Sequence, residues 1–435
     1  MSTISDITQM LNARRFESVL SNLYENNPQT LDRQRQRYQR IINSYSRLFP
    51  DGDIQFFSTP GRTEIGGNHT DHNHGRVLAA SVNLDSIAAA APIADPIVTI
   101  YSEAYSGAFQ VELADLKPRP QEEGGTAALV RGIAARCKEL GFEIGGFNAC
   151  VTSDVLVGSG LSSSASIEVL IGSIFNHLYN DGRVPPETLA LIGQFAENEY
   201  FNKPCGLMDQ LTCAVGGIVT IDFNDPQQPV FEKVEFDFRA QNYSLLVVNT
   251  GGSHADLIED YASIPREMRA VAEALGKKVG REIVREELLA QLPTVRPRVG
   301  DRAILRIFHF LADNDRVVDQ VAALKLGDFQ RFLQLVTESG NSSSRWLQNC
   351  YTTKAPQEQG INLALALTEN YINKHGAGAC RVHGGGFAGT IQVFLPNSIL
   401  ADYVKQLEGV FGKGSVLILQ IRPHGTTYIN SFSAK

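Results

Sequence analysis

Gly158-Ser159-Gly160-Leu161-Ser162-Ser163-Ser164-Ala165-Ser166 is a glycine- and serine-rich loop that joins a predicted strand, residues 147–151, to a predicted helix, residues 166–178. Glycine lets backbone N–H groups approach an anion closely. The N-terminus of the helix adds unpaired N–H donors and the positive end of its dipole. The loop therefore predicts an anion site, and an ordinary glycine turn capped by serines would have the same composition.

The loop matches two other phosphate-binding motifs only in part. Gly158-x-Gly160 begins like the dinucleotide motif G-x-G-x-x-G, but Ser163 stands at the third glycine. A dinucleotide-dependent oxidoreductase would also need an acidic residue about 20 positions further on, on a second strand. Residues 179–182, Tyr-Asn-Asp-Gly, predict a turn there instead. No Gly-Lys-Ser/Thr follows the loop, so it is not a Walker loop.

The composition is that of a globular protein large enough for two domains. The chain has 435 residues, of which 43% are hydrophobic and 20% charged. This length predicts two domains that share a cleft. The net charge of −8 argues against a nucleic-acid partner, which normally selects a basic face. No apolar run approaches the roughly 18 residues of a membrane span, and no signal peptide is evident.

The cysteines indicate the compartment. All six are scattered along the chain without the spacing of metal ligands. In a chain of this length without a secretion signal they predict reduced thiols and a cytoplasmic protein. The sequence does not determine the oligomeric state, and we expect a monomer. Its expected partners are small molecules, with no membrane involved.

Two further segments narrow the interpretation of the glycine- and serine-rich loop. Residues 59–75 read Thr-Pro-Gly-Arg-Thr-Glu-Ile-Gly-Gly-Asn-His-Thr-Asp-His-Asn-His-Gly, and residues 381–389 read Arg-Val-His-Gly-Gly-Gly-Phe-Ala-Gly. In this order the three segments resemble the signature set of the GHMP kinases. The first also resembles the galactokinase hallmark, Pro-Gly-Arg followed by His-Thr-Asp-x-Asn. Three ordered motifs are far more specific than any one of them alone.

The resemblance implies an α+β fold, the two-domain GHMP kinase architecture of mixed β-sheets and helices with the active site in the cleft between the domains. We expect a helical lead-in at residues 1–48, an N-terminal domain at residues 49–230 and a C-terminal domain at residues 231–435. The activity that the resemblance implies is ATP-dependent phosphorylation of galactose at the anomeric hydroxyl, giving galactose 1-phosphate, with Mg²⁺ as cofactor.

Kinase chemistry needs a cradle for metal and phosphate, a positioned hydroxyl and positive charge at the transferring group. By resemblance, Asp209 is the catalytic aspartate that accepts the proton of the sugar hydroxyl. Arg62 matches the arginine that keeps this aspartate ionised and helps to neutralise phosphate charge. Ser164 and Glu197 match the Mg²⁺ ligands, with Glu197 12 residues before Asp209.

The resemblance also implies the residues that bind the two substrates. The predicted sugar contacts are Asn68, His69, Asp71, Gly206 and Tyr261. The predicted ATP-binding residues are Gly158, Ser159, Gly160, Leu161, Ser162, Ser163, Ser164 and Ala165. Gly385, Gly386 and Phe387 are expected to shape the wall of the site.

One departure from the family pattern affects the choice of sugar. Galactokinases read Gly-Glu-His-Thr-Asp, with the glutamate contacting the 6-hydroxyl, whereas Asn68 stands here in its place. Asparagine holds a hydroxyl more weakly than a charged acceptor does, and its neutrality would suit a uronic acid. A kinase for a related sugar, such as galacturonate or an N-acetylhexosamine, therefore stays open. A separate alternative is a non-catalytic sensor that binds galactose and ATP.

Overall fold

The computed structural model describes residues 14–429, apart from residues 25, 51, 104–106, 157, 204 and 253–256. It begins with two helices, α1 (Arg14–Leu23) and α2 (Pro28–Leu48), within the predicted lead-in. Asn27 caps α2, because its side-chain oxygen accepts hydrogen bonds from the backbone N–H groups of Gln29 and Thr30. Residues 1–13 of the lead-in lie outside the described residues.

The larger sheet has eight strands among the described residues. They are β1 (Gln55–Gly66), β2 (Arg76–Pro92), β3 (Ile97–Ser102), β4 (Ala108–Glu112), β5 (Phe147–Ser153), β6 (Ile218–Asp222), β7 (Val230–Val234) and β12 (Thr427–Tyr428). The order is β12-β1-β2-β5-β3-β4, and β6 pairs with both β2 and β7. The β3–β5 pair is parallel and the other pairs are antiparallel, so the sheet is mixed.

Both faces of this sheet are covered, which explains the small and aliphatic residues of β2. Successive side chains point to opposite faces of a strand. Phe57 and Ala88 accordingly pack against α3 (Thr126–Glu139), α4 (Ser163–Tyr179) and α5 (Pro186–Glu199) on one face. Phe56 and Ala89 pack against α1 and α2 on the other face. The last helix of this half is α6 (Met208–Val215).

The second sheet is antiparallel. Its strands are β8 (Tyr243–Asn249), β9 (Ala379–Val382), β10 (Thr390–Pro396) and β11 (Val416–Leu419), in the order β11-β8-β10-β9. The helices of this half are α7 (Ile258–Ala274), α8 (Arg285–Val299), α9 (Asp301–Lys325), α10 (Phe329–Ser342), α11 (Gly360–His375) and α12 (Leu400–Phe411). One apolar core contains Leu78 of β2, Val247 of β8 and Phe332 of α10, so it joins the two sheets.

The predicted α+β class with mixed sheets and helices is confirmed. The sequence also predicts a short strand at residues 54–58 and a loop from residue 59 to 75. This prediction is wrong in extent, because β1 continues to Gly66. Register shifts between Pro60 and Arg62 and between Glu64 and Gly66 let β1 follow β2 across this polar segment.

The C-terminal segment returns to the first sheet. β12 pairs with β1, and Ile421 bridges to Val82 of β2. The domain division at residues 49–230 and 231–435 stays a prediction. No helix among the described residues is long and apolar enough to span a bilayer.

Candidate active site

Arg62 and Asp209 form an ion pair between the first strand and the start of α6. Arg62 Nε donates to Asp209 Oδ1 at 2.7 Å, and Arg62 Nη2 donates to Asp209 Oδ2 at 2.8 Å. This bidentate arrangement is the strongest geometry for an arginine and a carboxylate. Ser162 Oγ of the glycine–serine loop also donates to Asp209 Oδ2. The structure therefore brings together the two predicted catalytic residues and the loop.

Asp209 is held in its ionised form. Burial would raise the pKa of this carboxyl, but the charge and hydrogen bonds of Arg62 outweigh burial and hold the pKa below its ordinary value of 3.8. The hydroxyl of Ser162 acts in the same direction, because it hydrogen-bonds the charged form. A carboxylate in this state is a ready acceptor for a proton.

The glycine–serine loop crosses directly over β1. Gly158, Gly160 and Ser162 have positive φ angles of 78°, 74° and 58°. Glycine adopts this conformation at residues 158 and 160 without strain, whereas Ser162 is strained. A Cβ atom at Gly61 would lie 2.7 Å from the Leu161 carbonyl oxygen, which instead accepts a hydrogen bond from Arg62 N at 3.0 Å. The loop thus fits only against a strand that lacks a side chain at residue 61.

The loop contains buried residues and half-buried residues. Leu161 and Ala165 are buried in the apolar core, and Ser159 Oγ donates to the Leu156 carbonyl at 2.6 Å. Ser163 and Ser164 begin α4, one turn earlier than predicted, and are half-buried. The predicted ATP-binding segment is therefore a strand-to-helix connection whose backbone N–H groups lie at a helix N-terminus.

Ser164 and Glu197, the predicted metal ligands, are neighbours. Ser164 Oγ donates to Glu197 Oε1 at 3.2 Å, and Lys203 Nζ donates to the same oxygen at 2.7 Å. Gln210 Nε2 donates to Glu197 Oε2 and to Glu168 Oε2, both at 2.9 Å. Burial and the charge of Glu197 raise the pKa of Glu168 well above its ordinary value, which favours its neutral form. Glu197 is therefore held from three sides.

A cavity of about 290 Å³ opens beside the ion pair. Its lining residues are Arg62, Glu64, His69, Asp71, His72, Lys203, Cys205, Gly206, Met208, Asp209, Tyr261, Gly384 and Gly385. Four of the five predicted sugar contacts, His69, Asp71, Gly206 and Tyr261, are among them. The cavity lies between residues of the first sheet and its helices and residues of the second half.

Asp71 and Gly206 lie against each other in the cavity lining. A Cβ atom at Gly206 would lie 2.6 Å from Asp71 Oδ2, so glycine is needed for this approach. Tyr261 also lines the cavity. Its ring packs edge-on against Phe387 at 5.5 Å, and its hydroxyl donates to the Gly386 carbonyl at 3.1 Å.

His69 is a neutral hydrogen-bonding group in the cavity wall. Its Nε2 donates to the Gly385 carbonyl oxygen at 2.9 Å. Burial lowers the pKa of His69 to about 4. Because the proton is on Nε2, Nδ1 is an acceptor.

Asn68 is the predicted sugar contact that the structure does not place in the cavity lining. It is fully buried, and its amide is used inside the protein. Asn68 Nδ2 donates to Glu64 Oε1 at 2.9 Å and to the Gly384 carbonyl at 2.7 Å. The role of Asn68 as a sugar contact stays a prediction, and the residue lies behind the wall.

Sequence reasoning missed two charged residues of the cavity, Glu64 and Lys203. Glu64 belongs to a segment predicted as a loop, where a charged side chain is ordinarily solvated. The strand places it on the same face as Arg62, and burial raises its pKa to about 7 against the charges of Arg381 and Arg62. Lys203 follows α5 in a polar connection, and only its distance to Glu197 distinguishes it from a surface lysine.

Comparison with known proteins identifies the family and the fold. Residues 128–217 match the family model for the GHMP kinases N terminal domain, and residues 43–92 match the galactokinase galactose-binding signature. A mevalonate kinase structure has the same fold, with a TM-score of 0.61 at 16% identity over 84% of this chain and 98% of that chain. The fold and the site thus define a kinase of the GHMP class.

Individual relatives identify the family within the GHMP kinases. The galactokinase of Glaesserella parasuis serovar 5 (strain SH0165) is 32% identical over 366 residues, which are 81% of this chain and 88% of that protein. The galactokinase of Actinobacillus pleuropneumoniae serotype 5b (strain L20) is 29% identical over 86% of this chain and 95% of that protein. The crystal structure of Lactococcus lactis galactokinase complexed with galactose has a TM-score of 0.75 at 25% identity, covering 89% of this chain and 98% of that chain. This chain belongs to the galactokinase family, and the predicted resemblance is confirmed.

Proposed function

We propose that this chain transfers the γ-phosphoryl group of ATP to the anomeric hydroxyl of galactose and releases galactose 1-phosphate and ADP. The observation that carries the proposal is the ionised Asp209 carboxylate, clamped by Arg62 at 2.7 and 2.8 Å between a sugar-sized cavity and the glycine–serine loop. A carboxylate at this junction is within reach of both substrates.

The mechanism follows from this arrangement. Asp209 accepts the proton of the anomeric hydroxyl of the sugar. The oxygen of that hydroxyl attacks the γ-phosphorus in line with the leaving oxygen of ADP. Arg62 keeps Asp209 ionised and neutralises charge on the transferring group. The N-terminus of α4 and the loop N–H groups hold the phosphates, so positioning and electrostatics supply most of the rate. Asp71, His69 and Tyr261 orient the sugar.

The residues fit a magnesium ion. Ser164 Oγ and Glu197 Oε1 lie 3.2 Å apart, and both are oxygen donors of the kind that Mg²⁺ prefers, so these two residues would hold the ion. Across the described ranges no three His, Cys, Asp or Glu side chains are grouped to hold a metal by themselves, so ATP oxygens would complete the shell. The ion would neutralise charge on the β- and γ-phosphates.

We also propose that the protein works in the cytoplasm as a monomer. The described structure supports the compartment through its six free cysteines, five of which are buried. Reduced thiols of this kind are typical of cytosolic proteins.

An ADP-release assay across galactose, galacturonate, glucose, arabinose and N-acetylgalactosamine tests the activity. We expect galactose to have the highest kcat/KM of the five sugars. A higher value for galacturonate or N-acetylgalactosamine would make the chain a kinase for that sugar. Binding of galactose without ADP release on any sugar would instead identify a sensor.

A further inference from the structure

Glu64 is a carboxyl group in the cavity wall that the catalytic mechanism does not use. It lies on β1 two residues after Arg62, and alternation along the strand puts both side chains on the same side. Glu64 is 5% exposed, and it lines the cavity with Asp71 and Tyr261. Buried polar atoms are rarely left without a hydrogen-bond partner, so both oxygens of such a carboxyl group need to be accounted for.

The side chain is fixed through one of its oxygens. Glu64 Oε1 accepts hydrogen bonds from Asn68 Nδ2 and from Arg381 Nη2, both at 2.9 Å. Among the residues that the structure describes, no group donates to Oε2. The free oxygen of a rigid carboxylate beside a sugar-sized cavity is suited to accept a hydrogen bond from a hydroxyl.

Asn68 cannot take the same role without breaking its own contacts. An asparagine amide has two donor hydrogens and one oxygen with two lone pairs. Both hydrogens are used, on Glu64 and on the Gly384 carbonyl. The oxygen accepts from Asn349 Nδ2 at 2.9 Å and from Ser343 Oγ at 3.2 Å. The amide is therefore saturated within the protein.

We infer that Glu64 is a specificity-determining residue whose Oε2 accepts a hydrogen bond from one non-reacting hydroxyl of the sugar, and that Asn68 positions Glu64 without touching the sugar. The inference rests on the proposed galactose phosphorylation, and it adds Glu64 as the residue that accepts a hydrogen bond from the bound sugar. The hydroxyl is a non-reacting one because Asp209 takes the proton of the reacting one.

Charge in the cavity agrees with this assignment. Glu64, Asp71 and Asp209 bring three carboxyl groups to the lining, against the cations Arg62 and Lys203. A uronic acid would add a carboxylate to a confined space that already holds three carboxyl groups, and like charges at close range are unfavourable. The carboxyl at Glu64 thus selects a neutral sugar, although Asn68 alone suggested tolerance of an acidic one.

The test compares KM values for galactose and for 2-, 3-, 4- and 6-deoxygalactose in the wild type and in Glu64→Gln. In Glu64→Gln the amide oxygen stays on its two donors, Asn68 and Arg381, so an NH2 group faces the sugar in place of the acceptor oxygen. The loss of this hydrogen bond should raise the KM for galactose about 10-fold. The wild-type preference for galactose over one of the deoxy sugars should shrink by a similar factor. The preferences over the other three should stay the same.

Two further variants test whether Glu64 contacts the sugar while Asn68 only positions Glu64. Asn68→Ala should weaken the preference over the same deoxy sugar, by a smaller factor than Glu64→Gln. Loss of that preference in Asn68→Ala while Glu64→Gln keeps it would overturn the inference. Glu267→Gln is the matched control, because Glu267 pairs with Arg302 and Arg306 away from the cavity, and it should leave all five KM values unchanged.

The outcomes distinguish this inference from the proposed function. Galactose turnover by the wild type, with an unchanged KM and unchanged preferences in Glu64→Gln, would overturn the inference alone. A wild type that neither binds nor phosphorylates galactose would remove the proposed function and the inference with it. Should Glu64→Gln fail to fold, Glu64→Asp withdraws the carboxylate by one methylene while keeping its charge, and the same loss of preference is expected.

Discussion

At the scale of single residues, Asp209 carries the proposed chemistry and gives the first prediction. Asp209→Asn keeps the shape of the side chain but cannot accept a proton. We expect kcat to fall by at least about 10²–10⁴-fold, the usual contribution of a general base, with galactose binding largely kept. Single-turnover kinetics and calorimetric titration with galactose measure the two quantities. Full activity in this variant would refute the role of Asp209 as the base.

Arg62 sets the protonation of Asp209, so it controls the pH profile. The pKa of Asp209 is lowered because Arg62 outweighs burial. In Arg62→Gln that opposition is lost, burial raises the pKa, and Asp209 is protonated at higher pH than in the wild type. The acid limb of residual kcat/KM should therefore move to higher pH. Arg62→Lys, which keeps one charge, should give a smaller shift, and an unmoved acid limb in Arg62→Gln would contradict the assignment.

The predicted pairs come from short segments of sequence, because their residue types stand in local motifs. The structure brings Arg62 into contact with Asp209 and Ser164 into contact with Glu197, and the catalytic and metal-binding roles of these residues stay predictions. Glu64 could not be identified, because its importance depends on strand pairing with β2 and on Asn68 four residues later. Lys203 likewise has no signal of its own in the sequence.

At the scale of elements, the cavity depends on a close approach between Asp71 and the segment before α6. A Cβ atom at Gly206 would lie 2.6 Å from Asp71 Oδ2, so Gly206→Ala must displace one of them. We expect kcat/KM for galactose to fall on the order of 10- to 100-fold, since small misplacements at an active site have effects of this size. Gly409→Ala in α12 is the control, because its Cβ would meet no atom within 4 Å. Equal activity of the two variants would contradict the account.

Elements were predictable where periodicity was undisturbed. The strand predicted at residues 147–151 and the helix predicted at residues 166–178 correspond to β5 and α4, because the run of apolar residues and the apolar spacing determine them. α8 was not predicted, since Pro293 and Pro297 interrupt its pattern. The prolonged β1 was missed for a different reason: its polar residues are buried by the second half of the molecule, and that tertiary contact overrides local pattern.

At the scale of the whole molecule, a buried ionic cluster joins distant parts of the chain. Asp85 of β2 accepts from Arg37 Nη1 of α2 at 2.5 Å and from Arg422 Nη1 of the C-terminal segment at 3.0 Å. Asp85 and both arginines are at most 1% exposed. The cluster therefore ties the lead-in helix and the returning C-terminal segment to the first sheet.

Removing the shared carboxylate should be costly. Asp85→Asn leaves the buried Arg422 without its counter-charge and leaves Arg37 only Asp154, whose Oδ2 lies 3.4 Å from Arg37 Nη1. Breaking a buried ion pair in this way destabilises proteins by about 3–5 kcal/mol. Asp222→Asn, whose carboxylate is 28% exposed beside Arg76 and Arg281, should cost under about 1 kcal/mol. Urea unfolding monitored by circular dichroism measures both changes. Equal losses in the two variants would show that the Asp85 cluster contributes no special stability.

The same cluster makes stability depend on acid. Burial would raise the pKa of Asp85, but Arg37 and Arg422 outweigh it and hold the pKa below its ordinary value of 3.8. The stabilisation is therefore fully present above about pH 4, and it is lost as the pH falls below 3.8 through the lower pKa of the folded state. Below pH 4 the free energy of unfolding should fall more steeply in the wild type than in Asp85→Asn. Parallel slopes would contradict this.

The central claim is that the Asp209 junction transfers phosphate from ATP to the anomeric oxygen of galactose. The most direct measurement is phosphorus and proton NMR of the product formed from galactose, ATP and Mg²⁺ by the purified protein. We predict one sugar phosphate whose phosphorus couples to the proton on C1, formed by the wild type and absent with Asp209→Asn. A phosphate on another carbon, or no sugar phosphate from the wild type, would contradict the account.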